Sequence, residues 1–135
     1  TLTVVHGGRV EPVSQVALKF YGRSAYDENY NGLALDAAEG ERIVAGLKGA
    51  DVLFLANHGV IVTGPSIDFD DLYYLERACM LQVLAMGTGK ALRMVPEAIA
   101  RITAAQMTDA TQARLHFIAL KRLLDRDEPG WSQIN

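Results

Sequence analysis

The chain has 135 residues, half of them hydrophobic, with a formal net charge of -3 and a single cysteine, Cys79. That length and apolar content suit one modest folded domain and exclude wholesale disorder. The acidic balance argues against a nucleic-acid or anionic-membrane surface, and one cysteine excludes an internal disulfide. No apolar run approaches the ~20 residues that span a bilayer, and no secretory signal is visible, so a cytoplasmic, reducing location is expected.

In chain order, Thr1–Val5 reads as a short β-branched strand stopped by Gly7-Gly8. The chain opens directly on that run, without Met or a polar lead-in, which suggests processing or a cut from something longer. Residues 9–31 contain Pro12, Gly22 and the turn-like DENYNG, and read as loops around short extended pieces, with Val16, Leu18 and Phe20 as apolar anchors. The first clear helix follows. Asp36 is a good N-cap, Glu39 completes a capping-box-like pair, Ile43, Val44 and Leu47 form its buried edge, and Gly49 ends it.

VLFLA and VIV, separated by Asn57-His58-Gly59, predict two strands of a hairpin, buried on both faces. Phe69 to Met86 has helical periodicity, with Phe69, Leu72, Tyr73, Cys79, Met80 and Val83 on one arc. Pro96-Glu97 opens another helix, with Ile99, Ile102 and Met107 as its apolar positions. The last helix is expected from about Asp109 to Asp125. Its stripe is Ala113, Phe117, Leu120 and Leu124, with Leu115 and Ile118 on a second face suited to a neighbouring subunit.

His58 is the sharpest chemical feature. A turn between two buried strands aims a ring rigidly, Asn57 and Gly59 tolerate unusual backbone angles, and neutral imidazole is a good ligand for zinc. On spacing alone, a hydrogen-bonded turn histidine is the more ordinary reading. There is no HxH, HExxH or CxxC to complete a metal set. His6 reads as a solvated loop residue, His116 as a surface residue on the flank of the last helix, and Cys79 as a packed thiol. Glu76 falls inside the apolar arc of its helix, where a carboxylate needs a partner. It is a candidate second-sphere anchor, together with Asn57, for the His58 ring. No dinucleotide or P-loop pattern is present.

Three runs, PVSQVALKFYGRSAYDENYNGLALD (12–36), DVLFLANHGVIVTG (51–64) and FDDLYYLERAC (69–79), resemble the class II aldolase/adducin family in order and over nearly the whole chain. The resemblance implies an α/β/α layered domain with a central, mainly antiparallel sheet, of which residues 1–135 would form a single partial domain lacking its N-terminal part. It also implies a homotetramer and a zinc or similar ion held by three histidines. Two of these come from an HxH motif preceding the segment that matches TLTVV, and the third from an NHG turn, matched here by His58. The implied activity is aldehyde-lyase cleavage of sugar phosphates or related hydroxy-carbonyl compounds. With two ligands missing, this chain alone is expected to bind zinc weakly and to be inactive. A non-catalytic, adducin-like interaction module of cytoskeletal type is the alternative. The short PSIDF link (65–69) departs from the family, where about two more residues precede the helix. Uncovered sheet edges and helix faces lead to an expectation of self-association.

Overall fold

The run VLFL is an uninterrupted apolar stretch because both of its faces are covered. In the computed structural model, which describes residues 5, 7–64 and 69–133, Val52–Leu55 (β2) is the central strand of a three-stranded sheet and is buried along its whole length. Ser24–Asp27 (β1) pairs with it in parallel, from Ser24 opposite Val52 to Asp27 opposite Leu55. Gly59–Val62 (β3) pairs antiparallel, with Leu53 opposite Ile61 and Phe54 opposite Val60. The described sheet is therefore mixed, with one pairing of each sense, where a mainly antiparallel sheet was expected.

Alternation along β2 divides the core in two. Val52 and Phe54 point to one side, into a cluster with Ala17, Phe20, Leu75, Ala78 and Cys79. Leu53 and Leu55 point to the other, against Ile43. The first side is covered by the one-turn helix Gln15–Leu18 (α1) and the long helix Phe69–Met86 (α3), the second by Ala37–Gly46 (α2). This is the expected helix–sheet–helix layering. Glu97–Gln106 (α4) packs on α1, and Ala110–Asp127 (α5) packs on α3.

Local signals set most boundaries. Asp36 caps α2, its Oδ1 accepting from the Glu39 N–H at 2.8 Å, and Gly49 leaves with φ +83°. Asp109 caps α5 in the same way, accepting from the Thr111 N–H at 2.8 Å. The strand expected at Thr1–Val5 and the residues linking the hairpin to α3 (65–68) lie outside the described residues, apart from Val5.

Several sequence expectations are corrected by the packing. Residues 9–31 contain the expected loops and a short extended piece, β1, but also the helical turn α1. Strand β3 is half-buried because it lies at an edge of the described sheet. On α2, Ile43 is buried while Val44 is exposed. On α4 the core-facing residues are Ala100 and Ala104, and Ile99 and Ile102 face outward. Helix α5 has no buried residue, so its apolar stripe is largely uncovered.

The largest correction concerns α3. Its buried face is Asp71, Leu75, Ala78, Cys79 and Gln82, with Asp70 beside it. Phe69, Leu72 and Met80, from the arc expected to be buried, are exposed, and Glu76 is exposed with them. The helix is turned because its polar residues find buried partners. Gln82 donates to the Arg9 carbonyl at 2.7 Å and accepts from the Glu11 N–H at 2.8 Å, tying the segment before α1 onto α3. The cysteine expectation agrees with the structure, since Cys79 is a buried free thiol.

Candidate functional site

Strands β2 and β3 meet in the turn Ala56-Asn57-His58. Asn57 adopts φ +56°, a left-handed conformation that asparagine tolerates better than most residues. Two backbone bonds hold the turn. The Ala56 N–H donates to the Asp27 carbonyl at 2.9 Å, and the His58 N–H donates to the Leu55 carbonyl at 3.1 Å. The first anchors the turn to the end of β1. His58 is exposed, and among the described residues its ring makes no hydrogen bond, which leaves both nitrogens available.

Beside this turn lies a cleft of ≈ 310 Å³ lined by Gly7, Gly8, Arg9, Tyr26, Asp27 and Asn57, among others. Tyr26 stacks on Phe54 with ring centroids 5.1 Å apart, and its hydroxyl accepts from the Val10 N–H at 3.0 Å. Burial pushes the phenol above its ordinary pKa, so it stays neutral at physiological pH. The Arg9 guanidinium lies 4.4 Å from the centre of the Tyr26 ring and 3.0 Å from Glu28. Burial alone would raise the Asp27 carboxyl, but its ion pair with Arg42 and the Asn29 N–H outweigh that and hold it low. The cleft thus offers a neutral phenol, a compensated carboxylate and one half-exposed cation next to the histidine turn.

Glu76 is on the exposed side of α3. Among the described residues no hydrogen bond joins it to the Asn57–Gly59 turn, so within this chain nothing in the structure supports it as the partner of His58. Asn57 does lie in the turn and lines the cleft, where it shapes the backbone that carries the ring. His6 lies outside the described residues. Among the described residues no three His, Cys, Asp or Glu side chains converge as a metal-binding group. The His58 ring has no hydrogen-bond partner among the described residues, but a metal site needs at least three donors and none converge on it there.

A second polar cluster was not anticipated. Lys19, only 6 % exposed, reaches both Asp70 and Asp71 at 2.9 Å. Arg23 bridges Asp71 at 2.5 Å and Asp51 at 2.7 Å. His116 Nδ1 lies 2.7 Å from Asp70 Oδ1, with the rings of Tyr73, Tyr74 and Phe69 around it. Burial lowers the pKa of Lys19, but its hydrogen bonds to Asp71 and Asp70 outweigh this and the ammonium is held above its ordinary value. Burial would raise Asp70, yet Lys19 and His116 hold it below the usual carboxylate range. His116 is therefore more than a surface residue. The signal in the sequence was a lysine inside the apolar run VALKF.

Comparison with known proteins places this geometry. Residues 1–83 match the class II aldolase and adducin N-terminal domain. A Pseudomonas aeruginosa protein whose name assigns it provisionally to aldolase class 2 is 36 % identical over 130 residues, covering 90 % of this chain and 50 % of that protein. A Caulobacter vibrioides protein named in the same way is 34 % identical, covering 90 % of this chain and 49 % of its own length. The crystal structure of an aldolase II superfamily protein from Pseudomonas syringae superimposes with a TM-score of 0.83 at 33 % identity, over 94 % of this chain and 53 % of that one. The chain spans about half the length of the curated relatives it matches. The matched family domain, these relatives and the shared helix-flanked sheet show that this chain belongs to the class II aldolase/adducin family.

Proposed function

We propose that this chain carries part of a metal-dependent carbon–carbon lyase of class II aldolase type, acting on sugar phosphates or related small hydroxy-carbonyl compounds. His58 supplies one imidazole to a zinc or similar divalent ion. By the family resemblance the other two histidine donors belong to an HxH motif, which this sequence does not contain. A divalent ion at such a centre supplies Lewis-acid polarisation of a carbonyl. The chain's own contribution is positional: the Asn57 turn and its bond to the end of β1 fix the ring, and the adjoining cleft, with Arg9 and neutral Tyr26, receives a small polar molecule.

The observation that carries this reading is a histidine whose ring has no hydrogen-bond partner among the described residues, on a turn bordering a cleft, in a member of this family. The test is competition of the 135-residue chain against a chromophoric chelator for zinc and cobalt(II), with His58→Ala alongside. Expected are weak uptake that His58→Ala abolishes, and no aldol cleavage by this chain alone. Uptake identical in both proteins would overturn the role of His58 and favour the non-catalytic, adducin-like reading. Tight stoichiometric zinc retained through dialysis would overturn the incomplete donor set.

We also propose that the chain assembles as a homo-oligomer. Phe69, Leu72 and Met80 on α3, and Leu115, Phe117 and Leu123 on α5, are exposed. Such apolar surface favours self-association over an isolated chain. A monodisperse monomer by light scattering would contradict this. Among the described residues no helix is long and apolar enough to cross a membrane. A cytoplasmic location remains part of the proposal.

A further inference from the structure

A larger cleft, ≈ 570 Å³, opens between α1, α3, the end of α4 and the start of α5. It shares no lining residue with the cleft beside Asn57. The ion cluster behind it runs through Arg23 to Asp51, at the end of β2 opposite the His58 turn. Its volume falls in the range of small-molecule sites.

The chemistry of its wall is specific. Asp70 is ionised and buried, so the hydrogen bond at 2.7 Å requires the proton on Nδ1 of His116. In the neutral ring this leaves Nε2 as an acceptor, on a residue that lines the cleft and is clamped between Asp70 and three aromatic rings. Among the described residues Nε2 has no partner. Lys19 also lines the cleft, but Asp70, Asp71 and the Met107 carbonyl at 3.4 Å engage its ammonium, so it offers no free cation. Gln15, Gln106 and Gln112 supply three amides, each both donor and acceptor. Asp109, whose carboxylate caps α5 and is in no ion pair among the described residues, adds negative charge that disfavours an anion, and Tyr74, Val16 and Leu115 add apolar surface. Asp70, Asp109 and His116 all line the cleft, but among the described residues no three such side chains converge as a metal-binding group.

We propose that this cleft binds a small neutral polyhydroxy compound. One hydroxyl donates to His116 Nε2, and others exchange hydrogen bonds with the glutamine amides. Asp70 is a positioning residue, since it fixes the tautomer and orientation of the ring.

The test is saturation-transfer NMR on the 135-residue chain with myo-inositol as probe. Inositol monophosphate and spermidine serve as the anionic and cationic arms. Two variants accompany the wild type. His116→Phe keeps an aromatic ring in the cage but removes Nε2. Gln112→Leu alters an exposed helix position that the fold does not need. Expected are transfer to myo-inositol in the wild type and in His58→Ala, and about tenfold weaker binding in each cleft variant, the effect of losing one hydrogen bond to a ligand. No transfer to myo-inositol, transfer unchanged in Gln112→Leu, or preference for either charged probe would overturn the proposal.

Discussion

Replacing Lys19 by Met tests whether the buried ion cluster holds the helices of this fold in register. The ammonium sits between Asp70 and Asp71 at 2.9 Å from each, and all three side chains are nearly inaccessible. Met matches the length of the stem and removes only the charge. Two carboxylates then remain in a site that water barely reaches. Removing one partner of a buried charge pair costs about 3–5 kcal/mol. Here Asp70 retains His116 and Asp71 retains Arg23, which argues for the lower end, about 3 kcal/mol. For a domain of this size that corresponds to a melting temperature lower by roughly 10 °C. The assay is reversible thermal or urea unfolding at neutral pH. Arg101→Ala, which breaks an exposed pair with Glu97, is the control and should leave the midpoint unchanged. Adding Asp70→Asn to Lys19→Met should recover part of the loss, because one stranded charge disappears with its partner. A Lys19→Met protein as stable as wild type would refute the reasoning.

The same cluster fixes a pH dependence. The Asp70 pKa is lower in the folded chain than its ordinary 3.8, so its contribution is present above that value and disappears as pH falls through the folded pKa. Acid unfolding followed by circular dichroism should therefore be steeper in wild type than in Lys19→Met. The sign reverses at the alkaline end. Lys19 is held above its ordinary 10.5, so its contribution is complete below that pH and is lost only as pH rises through the higher folded value. Gln82→Leu removes both bonds to the Arg9 and Glu11 backbone and leaves those groups unsatisfied, at a cost of about 2 kcal/mol. Faster hydrogen exchange at the Glu11 amide, with α3 still protected, is the expected signature.

How much of this was legible depended on how far apart the deciding residues lie. The cap of α2 is a contact between residues three apart, and the hairpin turn spans three residues, so both could be read from the chain directly. The ends of α3 at Phe69 and Met86 also agree with its periodicity. Its buried face does not, because periodicity assigns each carboxylate an unpaired cost. Asp70 and Asp71 meet a lysine from α1's end, and Gln82 meets the backbone of residues 9 and 11, all far away in sequence. Once paired, those polar groups occupy the interior, and Leu72, Met80 and Glu76 rotate outward. Strand β1 is one of the short extended pieces expected within residues 9–31, but its bounds are not legible locally. SAYD has no strong alternation of its own and is held by its parallel register with β2.

The candidate site divides along the same line. The position of His58 follows from a local turn, so it was readable. Under the metal role proposed for it, the further donors would be long-range, and among the described residues no three candidate ligands converge. His116 shows the opposite case. It lacks any local motif, yet Lys19 in VALKF and the pair Asp70-Asp71 were both charges in apolar surroundings. Two such misfits of opposite sign in one chain imply that they meet, because each is costly alone and tolerable together. That pairing joins the end of α1 to α3, turns α3 by its polar face, and leaves His116 as the further group against Asp70.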